Sequence, residues 1–133
     1  MAAKSKRKIE PKVVRRAEIP PSVKDPLQAG FKGVVANPLG TAFASFSGFP
    51  LAAFPVAGKT GTAEVAGKQD TSLFTAYAPA DNAKYVVTVV LEQAGLGATA
   101  AAPVARRVLE GIAAKEGVAV APPAPVNRVA GSD

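Results

Sequence analysis

Gly58-Lys59-Thr60-Gly61-Thr62 is the stretch of this chain whose residue types and spacing could do chemistry. One reading is a phosphate-binding turn, in which backbone N–H groups and a lysine cradle a nucleotide. That motif needs a glycine five positions before Gly58, where the sequence has Ala53, and Pro55 intrudes between them. No helical pattern follows Thr60, so a phosphate would lack a helix N-terminus to sit on. The run Val86 to Glu92 imitates the acidic strand of such sites but ends in Glu rather than Asp. The rest of the composition narrows the field further. The 133 residues include no His and no Cys. A zinc site of His and Cys, a thiol nucleophile, a disulfide framework and a Ser-His-Asp triad are therefore excluded. The absence of Cys leaves the redox compartment open.

Read as a strand lining a cleft, the same five residues make different sense. The Lys59 ammonium would supply a fixed positive charge near a substrate carboxylate, and the Thr60 and Thr62 hydroxyls could hydrogen-bond it. Gly61 would remove a side chain and let a ligand pair with the backbone. An N–H just past that glycine could point at a developing oxyanion. The bland alternative is a Gly-rich strand with one exposed lysine. The stretch resembles the Lys-Thr-Gly strand of penicillin-recognising serine enzymes, and its surroundings extend the likeness. V-A-G-K-T-G-T-A-E is followed by S-L-F-T-A-Y-A-P-A-D-N, Y-V-V-T-V-V-L-E, G-x-G and A-A-P-V-A-R-R-V. In this order and spacing the blocks are similar to the C-terminal part of class B penicillin-binding proteins, the peptidoglycan DD-transpeptidases, most of all the cell-elongation type. Upstream, Gly30 to Val35, Gly40-Thr41-Ala42 and Pro11-Lys12-Val13-Val14 fit the same pattern, so the resemblance covers residues 9 to 114.

The resemblance implies roles by position. Lys59 and Thr60 correspond to the family's substrate-strand lysine and hydroxyl residue, and Gly61 to its clearance glycine. Thr62 would hydrogen-bond the carboxylate of a D-alanyl-D-alanine stem peptide or a β-lactam, and its N–H would form half the oxyanion hole. One departure is Leu73, where the family often has Trp. The family also needs a nucleophilic Ser with a Lys one helical turn later, and an S-x-N motif. The chain has no S-x-N, and its S-x-x-K is the hydrophilic Ser5-Lys6-Arg7-Lys8, with no buried helix to hold the pair. No catalytic nucleophile, metal or cofactor is therefore expected. The expectation is a C-terminal fragment of a transpeptidase domain that is inactive alone and partnered by the missing N-terminal part. Its parent would be anchored in the inner membrane, with this region outside. Taken as a complete product, the chain has no signal or transmembrane segment and would stay in the cytoplasm. The alternatives are a non-catalytic interaction protein built on the same sheet, or a basic nucleic-acid binder.

Three strands and two helices must position these residues. A short helix is expected over residues 26 to 37, with Pro26 in its first turn and Leu27, Phe31, Val34 and Val35 on one face. Strands are expected over 54 to 65, 72 to 78 and 85 to 91, with turns near Gly67 and Asp81-Asn82. The last strand is apolar on both faces and reads as central, covered on both sides. A final helix should start at Thr99 as N-cap and end at Gly117. Its apolar stripe would be Ala101, Val104, Ala105, Val108, Leu109 and Ile112. The class is α+β, a partial transpeptidase fold with three antiparallel strands of a larger sheet and its C-terminal helix. Residues 1 to 25 read as a basic, irregular segment, 26 to 116 as the domain portion and 117 to 133 as a Pro/Ala-rich tail. The formal charge of +6 lies wholly within residues 1 to 16, which carry seven basic groups and one acid. A nucleic-acid domain would spread such charge over its folded part, so no nucleic-acid partner is expected. An isolated chain of this kind should be marginally stable and prone to aggregate.

Overall fold

The structure, a computed structural model, describes residue 10 and residues 12–121. Ser5, the first residue of the Pro11-to-Val14 run and tail residues 122 to 133 lie outside the described residues. In chain order the elements are α1 (Pro21–Ala36), a single 3-10 turn (Ala44–Phe46), β1 (Ala57–Ala63), β2 (Thr71–Ala78), β3 (Tyr85–Leu91) and α2 (Ala101–Lys115). The strands form one antiparallel sheet in the order β1-β2-β3. The α+β class and the antiparallel sheet are as the sequence implies.

Helix α1 starts five residues earlier than expected. Pro20 is its extended N-cap and Pro21 opens the first turn, where a missing N–H costs nothing. Pro26 therefore lies inside the helix, within a stretch that buries no side chain. Only Val35 of the expected face is fully buried, and Leu27 is exposed. Residues 54 to 56 precede β1 rather than belong to it, but Phe54 and Val56 are both core residues.

Strand β2, not β3, is central. Its period-two pattern sends Ser72, Phe74, Ala76 and Ala78 to one buried face and Leu73, Thr75 and Tyr77 to the other. The Phe74 ring packs 5.8 Å from Phe46, and Phe49 bridges Phe46 and Phe54. Helix α2 closes this inner face, and α1 packs along β1. The outer face is open. Val86 and Val90 of β3 are 71% and 54% exposed there, which corrects the expectation of cover on both sides. Both point the same way as their β2 partners Tyr77 and Leu73, away from the helices.

The N-terminus of α2 is capped across the fold. Ala100 offers no side-chain cap, and the Thr99 hydroxyl donates to the Leu96 carbonyl instead. The fully buried Ser72 Oγ accepts from the Ala101 N–H at 3.0 Å and donates to the Leu96 carbonyl at 3.0 Å. The buried stripe of α2 is Ala101, Ala102, Ala105, Leu109 and Ala113, whereas Val104 and Val108 are exposed. The small residues let the helix approach the sheet closely, rotating the two valines outward. Gly117 ends the helix at a φ of +82°, a value that favours glycine. Val118 and Val120 then fold back against the core.

A polar latch joins the start of β3 to the end of α2. Tyr85 donates its hydroxyl hydrogen bond to Glu116, and Lys84 Nζ reaches the same carboxylate at 3.0 Å. The Tyr85 hydrogen bond, then that of Lys84, holds the Glu116 carboxyl below its ordinary value. The same bonds to Glu116 raise Lys84 and Tyr85 above theirs.

Two predictions follow from these contacts. Ser72→Ala leaves the Ala101 N–H buried without its acceptor and should lower stability by about 1–3 kcal/mol, read as a shifted denaturant midpoint. For the latch, the Glu116 contribution is complete above its unfolded pKa and is lost as pH falls through the lowered folded value. The Lys84 and Tyr85 contributions are complete below their unfolded values and are lost as pH rises through the raised folded ones. The latch should therefore be intact between about pH 5 and pH 9. Glu116→Gln should flatten both flanks of the midpoint-versus-pH curve.

Candidate functional site

All four residues expected to bind substrate lie on β1, which among the described residues pairs on one side only. The register with β2 divides them between two faces. Lys59 and Gly61 oppose Thr75 and Leu73 on the open outer face, whereas Thr60 and Thr62 oppose Phe74 and Ser72 on the inner one. Lys59 is exposed, and its Nζ donates to the Thr60 carbonyl at 2.7 Å. A strand residue directs its own N–H and C=O to the same side, and residues two apart share that side. A Thr60 carbonyl within reach of the lysine marks the unpaired edge, so the N–H of Thr62 faces that edge as well.

Glycines let this strand be gripped. A Cβ on Gly58 would come 2.7 Å from the Phe74 ring, so Gly58 is a packing residue whose bare backbone rests on the aromatic core. A Cβ on Gly61 would come 3.3 Å from that of Leu73. Leu73 is thus the neighbour that sets the outer surface beside Gly61. From the inner side, a Cβ on Gly97 would fall 2.4 Å from the Gly61 carbonyl oxygen and 2.3 Å from that of Leu73. The Gly97 N–H donates to Thr62 Oγ1 at 3.5 Å, a long bond. Loop 95 to 97 therefore lies directly on the motif backbone.

The Gly40-Thr41-Ala42 segment supplies the other support. Thr41 Oγ1 and Thr60 Oγ1 are 2.8 Å apart. An open recess of about 360 Å³ lies between this segment, the last turns of α1 and Lys59, with Gly33, Asn37 and Thr41 in its wall. Two described serines serve the scaffold: Ser72 caps α2, and Ser45 Oγ donates to the Ala98 carbonyl at 2.6 Å. Ser5 lies outside the described residues. The arrangement offers an open strand edge, a cation beside it, two braced hydroxyls and an edge-facing N–H, which suits an extended peptide ending in a carboxylate. The motif itself was visible in the sequence; its bracing by Thr41, Phe74 and Gly97 was not, because each contact joins distant segments. The small spacer residues Gly40, Gly58 and Gly97 were the available signal.

Comparison with known proteins gives the family and the fold. A family model described as the penicillin binding protein transpeptidase domain matches residues 1–110. The chain is 48% identical, over an alignment of 77 positions, to the peptidoglycan D,D-transpeptidase MrdA of Haemophilus influenzae, covering 47% of this chain and 12% of that protein. Pseudomonas aeruginosa PBP2, solved in complex with WCK 5153, superposes with a TM-score of 0.65 at 32% identity, covering 84% of this chain and 23% of that one. The D,D-transpeptidase domain of a peptidoglycan glycosyltransferase from Eggerthella lenta gives 0.55 at 34% identity, over 68% of this chain and 19% of that one. The chain thus spans less than a quarter of each of these relatives. No helix among the described residues is long and apolar enough to cross a membrane. With the model matching most of its length and the sheet superposing on solved relatives, the chain belongs to the penicillin-binding protein transpeptidase domain family.

Proposed function

We propose that this chain is the substrate-strand portion of a serine DD-transpeptidase that cross-links peptidoglycan stem peptides. The observation that carries the reading is the open edge of β1, with the Lys59 ammonium on the Thr60 carbonyl at that edge. A stem peptide ending in D-Ala-D-Ala, or a β-lactam, would lie along this edge as an added strand. Lys59 and the hydroxyls of Thr60 and Thr62 would hold its carboxylate, and Gly61 would leave it room. The Thr62 N–H would supply one donor to the oxyanion formed during acyl transfer, stabilising charge that is absent from the ground state. The geometry also tempers the expectation for Thr62, whose hydroxyl oxygen already accepts a bond from Gly97. Its proton remains free to donate to a ligand.

The nucleophilic serine, its lysine and the S-x-N motif would come from sequence other than this chain, in a parent anchored in the inner membrane with this region on the outer side. On this reading the 133-residue chain alone forms no acyl-enzyme. The support is the absence of S-x-N and the hydrophilic setting of Ser5-Lys6-Arg7-Lys8. The relatives' transpeptidase names support the reaction class.

Fluorescent penicillin tests both halves of the proposal. The isolated chain should show no label that survives denaturation; a covalent band would overturn its inactivity. In a domain completed by the portion carrying S-x-x-K and S-x-N, Lys59→Ala should slow acylation by about 100-fold or more, the scale of losing one electrostatic contact to the reacting group. Unchanged acylation there would remove β1 from the site.

A further inference from the structure

Thr41 is not among the residues proposed to touch the ligand, yet its hydroxyl lies 2.8 Å from that of Thr60. We propose that Thr41 is a positioning residue for Thr60: it fixes the direction of the Thr60 hydroxyl and leaves that proton free for the ligand carboxylate. The proposal rests on β1 being the substrate strand.

The two hydroxyls approach from independently anchored segments. On one side, Gly40 lies so close to α1 that a Cβ would fall 2.2 Å from the Gly33 carbonyl oxygen and 2.5 Å from that of Val34. The Ala42 N–H bonds the Val34 carbonyl at 2.9 Å, the Gly40 N–H bonds the Asn37 carbonyl at 2.7 Å, and Ala42 is fully buried. Thr41 is therefore pinned between two fixed neighbours while its own side chain stays at the surface. On the other side, Thr60 is paired with Phe74, the buried centre of the sheet. A threonine Cβ carries two heavy atoms, which confines each χ1 to a few staggered wells, and the bond between the two hydroxyls selects among them for Thr60.

Proton counting then sets the roles. Each hydroxyl has one hydrogen and two lone pairs, and their mutual bond uses a single hydrogen. If Thr60 donated to Thr41, Thr60 would present only lone pairs, which repel a carboxylate. If Thr41 donates, the Thr60 proton is free and its oxygen is polarised by the bond it accepts. An incoming carboxylate selects the second arrangement. Thr41 then acts through Thr60 without touching the ligand. Valine at position 41 keeps the shape and deletes the donor, whereas serine keeps the donor and deletes a methyl group, so the two substitutions separate hydrogen bonding from packing.

The test uses the 133-residue chain, with Thr60 χ1 followed by three-bond NMR couplings and N-acetyl-D-alanine titrated as a carboxylate probe. The expected result for Thr41→Val is a mixed Thr60 rotamer and about five- to ten-fold weaker probe binding at residues 60 to 62, the scale of one lost hydrogen bond. Thr41→Ser should retain both the rotamer and the affinity. Denaturant midpoints should match across the three proteins, because Thr41 is exposed. A Thr60 rotamer and affinity unchanged by valine would overturn the proposal, as would loss in the serine variant with retention in the valine one. A released rotamer in Thr41→Val, with no probe binding even by the wild-type chain, would uphold the positioning role and overturn the substrate-strand reading instead.

Discussion

The Phe74 ring beneath Gly58 is the contact on which the arrangement of the motif depends. Phe74 is fully buried at the centre of the middle strand, and a Cβ at position 58 would overlap its ring edge. The missing side chain sets how closely β1 lies on the aromatic core formed with Phe46, Phe49 and Phe54. Once Gly58 is seated, the register carries Lys59 outward, Thr60 inward and Gly61 outward without further instruction. Tight packing turns a small core displacement into a displaced site, because a packed interior has little slack to absorb it.

The two faces of the sheet are built to different standards. The inner face joins the Phe cluster to a helix stripe made largely of alanine, with Ser72 satisfying the helix end across the fold. The outer face shows Val86 and Val90 to solvent beside Leu73, Tyr77 and Lys59. Thr75 and Thr88 bond one another at 3.2 Å in its middle, both exposed. Val86 and Val90 leave an exposed apolar area on β3, in a chain that spans less than a quarter of each of its relatives.

Local pattern carried the sequence reading, and long-range partnership limited it. Strand β3 was legible residue for residue because seven β-branched, aromatic or apolar residues stand between turn signals. The same richness misled about its place: an apolar edge strand reads like a buried central one. Helix α1 starts within the segment that reads as irregular because Pro20 caps it and Pro21 opens it. Thr99 had the right chemistry for a cap, but the acceptor came from Ser72, 29 residues away, and no spacing rule encodes that. Residues 59 to 62 were legible because their order is distinctive. Their supports were not, since the partners of Thr60, Gly58 and Thr62 lie 16 to 35 positions away.

The two edges of the sheet also solve opposite problems. An unpaired strand invites any other strand to join it, and aggregation is the usual result. Strand β1 must keep its edge open if a peptide is to pair there, so covering it with a loop is not available. Its composition resolves the conflict: Ala57, Gly58, Lys59, Thr60, Gly61, Thr62 and Ala63 include no large apolar side chain. A second strand added there would gain backbone hydrogen bonds but little hydrophobic burial, and it would have to accommodate the Lys59 charge. A ligand with a carboxylate gains both the backbone pairing and the charge. On the proposed function, the residues that would recognise the ligand are thus the residues that discourage the wrong partner. Strand β3, rich in valine and without charge along its length, has no such protection in its own sequence.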